Sequence, residues 1–202
     1  MLCFCVIAIT NWNNLLSENR ILSSILPTFL YLCRNIYRNM TRLIPLRYLP
    51  SVLTQKDRKA QIRALSKSRK AYQTGKYVAR PILSSFKNKK SRHIQRAEKM
   101  YNVERIVPGK ELARKTNCSV NALNQIVKKG EGAYYSSGSR PNQTAHSWGI
   151  ARLASAITGG KASAIDYDIL SRGCNHKTSR AYSLAKLPKY GRIHTRRTGV
   201  QI

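Results

Sequence analysis

PGKELARKTNCSVNALNQIVKKG, residues 108–130, is the stretch whose reading decides the fold. It fits a helix-turn-helix frame at several positions at once. Leu112 is apolar, and Ala113 is small where two helices would cross. Asn117 suits the left-handed turn conformation. Ser119 can cap the second helix. Leu123 and Ile126 then point back at the first helix, with Cys118 as a small buried residue. That leaves Ser119, Val120, Asn121, Asn124, Gln125 and Lys128 facing outward. Asn and Gln side chains can read adenine edges, and Lys128 and Lys129 can meet phosphate. An ordinary helical hairpin obeys the same packing rules, so the frame admits both readings.

Downstream lies GAYYSSGSRPNQTAHSWG, residues 132–149, with one Arg, one His, no Lys and no acid. Gly130 and Gly132 are expected to end the preceding helix, with AYYSSGSRP as a turn-rich connector. Gly138 can take positive φ, and Pro141 pushes Arg140 toward an extended conformation. Asn142 or Thr144 can cap a helix through AHSWGIARLASAIT, where Ala145, Trp148, Ala151, Ala154 and Ile157 form a stripe at helical spacing. Gly159 and Gly160 close it, and Ser163 with Asp166 resembles a further cap before AIDYDILSR. The hydroxyls here, with Arg140, offer a phosphate site, and Arg152 and Lys161 join them as candidate nucleic-acid contacts.

Upstream, TQKDRKAQIRALSKSRKAYQTG reads as a helix opened by Thr54 and Asp57 and stopped by Gly75. Ile62, Ala64, Leu65, Ala71 and Tyr72 give it a rough apolar stripe, and the remaining faces are almost all basic. KYVARPILSSF reads as extended, with Pro81 limiting any strand pairing. KNKKSRHIQRAEKMY reads as a second basic helix with Ile94, Ala97 and Tyr101 on one side. From Lys56 to Arg105 there are 16 Lys or Arg against Asp57, Glu98 and Glu104.

This local excess is typical of the chain, which carries 37 basic and 8 acidic residues and a net charge of +29. Eight acids cannot neutralise that surplus internally. Most of the cations must face solvent or a polyanion, and a nucleic acid gains counterion entropy when they replace its own ions. The tail from Asn175 has no acid and interleaves Lys177, Arg180, Lys186, Lys189, Arg192, Arg196 and Arg197 with Tyr182 and Tyr190. It reads as a basic arm for nucleic acid or an acidic protein surface.

Residues 1–39 differ in kind, with Arg20, Arg34 and Arg38 against Glu18. The apolar runs LCFCVIAI and ILSSILPTFLYLC fall short of the ~18 residues a membrane span needs, and Pro27 interrupts the second. No basic n-region precedes them, so a secretory signal fits poorly. Met40 reads as a native start, which makes the leader upstream sequence; a membrane anchor is the alternative. The expected division is an apolar leader at 1–39, a basic helical arm at 40–107, a compact helical core at 108–174 and a basic tail at 175–202. The fold class is mainly α.

The letters of several enzymes occur without their spacing. Ser137 or Ser139, His146, and Asp166 or Asp168 could spell a hydrolase triad, but no G-x-S-x-G elbow exists. Cys174 and His176 lie close, yet His93, His146 and His194 stand singly, so no zinc site is expected. TGGKAS lacks the lead and the hydroxyl residue of a phosphate loop. Asp166 and Asp168 alone are too few for a nuclease metal centre. The five cysteines, Cys3, Cys5, Cys33, Cys118 and Cys174, include no CxxC pair and suggest no disulfide framework. Neither catalysis nor a cofactor is expected.

The block GAYYSSGSRPNQTAHSWGIARLASAITGGKASAIDYDIL resembles the signature of an uncharacterised protein family of large algal DNA viruses, chloroviruses among them, with related blocks in phages. The resemblance runs from about Tyr48 through Cys174 and takes in the Lys-rich YLPSVLTQKDRKAQIRALSKSRKAYQTGKYVARP. Gly138, Ser139, Arg140, Pro141, Trp148, Arg152, Gly159, Gly160, Lys161 and Asp166 stand where that signature has its distinctive residues. The resemblance implies a viral source and a recurring fold, and no reaction. The expectation is a basic viral protein that binds DNA, located in the virion or the infected host cell. A virion structural protein docked to capsid proteins or to a membrane surface is the alternative.

Overall fold

A computed structural model describes residues 42–186 and 197–200 of the chain. The expectations for residues 1–39 lie outside them. Contacts divide the chain into a compact unit, Ile44–Thr198, and a second unit of Met1–Leu43 with Gly199–Ile202. Two short strands, β1 (Arg42–Pro45) and β2 (Arg197–Val200), pair with each other. Everything else regular among the described residues is helical, as the sequence predicts. The α-helices are α1 (Gln55–Gln73), α2 (Arg92–Tyr101), α3 (Lys110–Thr116), α4 (Val120–Ser137), α5 (Ala145–Ile157), α6 (Lys161–Ile165), α7 (Tyr167–Gly173) and α8 (Arg180–Lys186).

Local chemistry sets the helix starts. Thr54 accepts from Asp57 N at α1, Ser91 from His93 N at α2, and Ser119 from Ala122 N at α4. Thr144 and Ser147 form a reciprocal capping box at α5. Asn102 and Asn117 end α2 and α3 in the left-handed conformation, with φ of 49° and 51°.

The core is one apolar cluster centred on α4 and α5. Leu123 and Ile126 of α4 meet Leu153, Ala154 and Ile157 of α5, all fully buried. Leu112 from α3 and Leu170 from α7 complete it, as do Ala97 and Tyr101 from α2. Tyr101 donates its hydroxyl to Ile157 O at 2.6 Å, and burial pushes its pKa up to about 12. The core therefore draws on the segment read as an arm, through α2. It also runs past Cys174, because Ala181, Tyr182 and Ala185 of α8 are buried in the same cluster.

The turn between α3 and α4 is held from outside. Ser119 N donates to Gly173 O and Asn175 N to Asn117 O, an antiparallel bridge that sets Cys118 opposite Cys174. The two form a disulfide across 56 residues. The sequence showed no such pairing, since only the fold brings the two segments together.

The glycines of α4 correct the expected helix end. Helix α4 runs through Gly130 and Gly132 to Ser137, and Gly138 at φ 99° terminates it. A Cβ on Gly130 would stand 2.6 Å from Gly149 Cα, and one on Gly149 would stand 2.7 Å from Val127 O. The two glycines let α4 and α5 cross backbone to backbone. Their absent side chains serve packing, and the helix accepts their modest propensity cost.

That crossing gives a test with an informative sign. Gly→Ala inside a helix ordinarily gains about 1 kcal/mol. Gly149→Ala is expected to lose about 1–3 kcal/mol through overpacking, read as a lower midpoint in thermal unfolding by circular dichroism. A higher midpoint would remove the crossing from its role.

Candidate nucleic-acid interface

Helix α4 presents the face the sequence predicts. Ser119, Asn121, Gln125 and Lys128 are exposed, Val120 and Asn124 half-buried, and Leu123 and Ile126 sealed inside. Ser119 is already engaged as the cap of α4. Asn121, Gln125 and Lys128 recur at four- and three-residue spacing and so form one stripe, which Gly132 and Tyr135 continue.

The other candidates separate into two groups. Arg152 sends Nε and Nη2 to the two oxygens of Asp166, each at 2.8 Å. Lys129 Nζ reaches the same carboxylate at 2.8 Å and Ile165 O at 3.2 Å. Asp166 is fully buried, while the Arg152 and Lys129 side chains keep 17% and 45% of their exposure. Arg152 is thus corrected from a phosphate contact to the partner of a buried carboxylate, and Lys129 is tied to the same charge. Asp166 does stand at the N-cap position of α7, but its side chain makes no cap bond there because the carboxylate is taken by Arg152 and Lys129.

Arg140 and Lys161 are exposed. Arg140 belongs to a positive neighbourhood with Arg96 and His93. Desolvation first, then the charges of Arg96 and Arg140, holds His93 below its ordinary pKa. Its ring lies 3.3 Å from where a Cβ of Gly160 would be, next to Lys161.

The clearest feature lies on the basic helix that the sequence predicts, although none of its cations was among the candidate contacts. Lys56, Lys59, Arg63, Lys67 and Lys70 are all exposed on α1. Their spacing of three, four, four and three residues puts them on one face, a cationic ridge about 21 Å long. The acid of this helix, Asp57, accepts from Ser85 N at 2.9 Å and Ser85 Oγ at 2.6 Å, which lowers its pKa. The sequence carries this ridge as a helical period of cations running beside the apolar one.

The opposite side of α1 is polar where apolar was expected. Ile62 is half-buried, whereas Gln61, Leu65 and Ser68 are buried. The reason is the end of α4. Gln61 Nε2 donates to Tyr48 O and Ser139 O, and Ser68 Oγ to Tyr135 O at 3.4 Å. Arg69 Nη2 donates to Ser137 O at 2.7 Å, and Arg80 Nη2 to Tyr134 O at 2.9 Å. Helix α4 ends with carbonyls that have no partner of their own, and donors from α1 and the extended segment collect them. The nearly uncharged passage 132–149 is therefore mostly the last turns of α4 and the start of α5. Asn142, at φ 54°, links it onward: its side chain bonds Leu83 N, Leu83 O and Phe86 O.

The triad letters have separate partners. His146 Nδ1 lies 3.0 Å from Glu131 Oε1, and Ser139 Oγ donates to Arg140 O at 2.7 Å. Among the described residues no three His, Cys, Asp or Glu side chains converge, and no helix is long and apolar enough to cross a membrane.

Residues 45–171 match a family of unknown function, DUF5824. The chain belongs to this family. The matched span covers β1's last residue through most of α7, and so includes the ridge, the α4 stripe and Asp166. No curated protein and no solved structure matches the chain.

Two measurements check these assignments. Asp166→Asn leaves two cations without their buried counter-charge, and a loss of about 3 kcal/mol is expected in denaturant unfolding. His93 should titrate below 6.5 by proton NMR in the free protein, and Arg140→Ala should move it upward. Because the folded pKa is depressed, this histidine costs stability as pH falls below 6.5 and is neutral in both states above it. An unchanged His93 titration in Arg140→Ala would separate the two residues.

Proposed function

We propose that the chain binds nucleic acid, DNA in the first instance, through phosphate contacts and without catalysis. The observation that supports this most is the α1 ridge, five exposed cations on one face with the helix's only acid committed to Ser85. Cations at such spacing repel one another by a few tenths of a kcal/mol per pair, a cost that a phosphate backbone reverses. The stripe of Asn121, Gln125 and Lys128 on α4 adds side chains able to meet base edges, with Ser119 and Asn124 at its margin. Arg140 and Lys161 supply further exposed charge. Resemblance of the 132–170 block to proteins of large algal DNA viruses supports a place in the virion or infected host cell. A second reading, a virion structural protein, is favoured by exposed apolar side chains: Ile82 is 86% exposed and Val52 65%. Under it the charge docks to acidic capsid surfaces.

The test is a salt titration of the full chain against a labelled 20-base-pair duplex, followed by anisotropy. Affinity should fall steeply with salt. Replacing Arg63, Lys67 and Lys70 by Gln should flatten the log–log slope by about 3, at roughly 0.9 per lost phosphate contact. Absence of binding at low salt, or an unaltered slope, would reject the reading in favour of the structural one.

A further inference from the structure

We infer that Tyr77, supported by Tyr72 and Tyr135, is a stacking platform for the unpaired bases of single-stranded nucleic acid. The inference rests on the nucleic-acid reading above and adds a ligand class to it. Tyr77 follows α1 in a segment without regular structure, and it is 68% exposed. An aromatic ring so open would ordinarily be free to turn, but this one is held. Its centroid lies 6.0 Å from that of Tyr72 at 70° and 5.0 Å from that of Tyr135 at 71°. Tyr72 and Tyr135 lie within 6° of parallel, 6.3 Å apart. Beneath them Tyr134 meets Tyr135 edge-on at 4.9 Å, and the Arg80 guanidinium sits 3.6 Å from the Tyr134 centroid while bonding its carbonyl. The cluster is thus anchored to the end of α4 by the contacts that satisfy that helix's carbonyls.

Position and charge select the occupant. Tyr135 continues the α4 stripe of Asn121, Gln125 and Lys128, so the platform stands at one end of the polar face. Lys76, exposed, directly precedes Tyr77, and the Arg80 guanidinium lies within the cluster itself. The one acid of α4, Glu131, lies within bonding distance of His146. An ordered, water-facing aromatic surface with Arg80 and Lys76 beside it suits a polyanion that carries flat rings. In a duplex those rings stack on each other and only their edges are reachable. In a single strand each base has a free face, and stacking on an aromatic side chain contributes about 1–3 kcal/mol per base with little sequence preference. A neutral apolar peptide would use the rings and leave Lys76 without a partner.

The experiment compares a labelled 20-nucleotide oligothymidylate with a duplex of equal length, using full-length wild type, Tyr77→Ala, Tyr77→Phe and Tyr77→Trp. Tyr77→Ala should weaken single-strand binding about tenfold and leave duplex binding within about twofold, whereas Phe and Trp should retain it. Because the ring is mostly exposed, all variants should melt as wild type does. Undiminished single-strand binding by Tyr77→Ala, with duplex binding intact, overturns this inference alone and leaves the ring to a protein partner. Failure of the wild-type chain to bind either probe overturns the inference together with the reading beneath it.

Discussion

Helices α4 and α5 approach each other at Gly130 and Gly149 more closely than any side chain would permit, and the rest of the molecule is arranged around that approach. A Cβ on Gly130 would also press on Cβ and Cδ of Arg152, at 3.2 Å each. The space left by one absent methyl group is therefore used twice, once for the neighbouring backbone and once for the arginine that runs past it. Arg152 needs that route to reach Asp166, which carries α6 into α7 at the far end of the core. A buried carboxylate with one fork of donors and a lysine is costly to assemble, and it survives only with its partners in place. Helix crossing and ion pair are thus one constraint, and Leu123, Ile126, Leu153 and Ile157 fill the volume it defines.

With α4 fixed at its middle, both of its ends can be specialised. At the start, Ser119 caps it and the bridge to residues 173–175 holds the turn. Gly173 is required there as well, since its Cβ would fall 2.2 Å from that of Ala122. At the end, Gln61, Ser68, Arg69 and Arg80 collect carbonyls from Tyr134 to Ser139. A helix held at its middle and at both ends keeps the stripe from Asn121 to Tyr135 in one geometry. Rigid display of that kind lowers the ordering cost of any ligand bound along it.

Much of this was legible from residues alone. The mainly helical class followed from the 3.6-residue period, and the left-handed Asn117, the Ser119 cap and the buried Leu123 and Ile126 from turn and cap chemistry. What escaped was tertiary in origin. Gly130 and Gly132 carry the usual mark of a helix end, and nothing local says that a second backbone lies against one of them and Tyr72 beside the other. Arg152 and Lys129 look like free cations until Asp166 is placed between them. Gln61 and Ser68 look solvent-facing until a helix terminus needs their donors. Cys118 and Cys174 are paired by a ladder that sequence spacing does not encode. In each case the missing information was the identity of the neighbour.

The positive charge itself divides along this line. Part of it works inside: Arg152 and Lys129 neutralise Asp166, and Arg69 and Arg80 close the end of α4. Those cations would be needed whatever the protein bound. Net charge alone therefore overstates the surface available to a polyanion, and a count of lysines and arginines is a poor measure of function. Lys56, Lys59, Arg63, Lys67 and Lys70 form the complementary set, with a shared face and exposure to solvent. Folding gains little from placing five like charges side by side, because each neighbouring pair opposes the helix. A feature that local stability disfavours calls for a benefit elsewhere, and a line of phosphates is a ligand that turns the mutual repulsion of the ridge into binding energy.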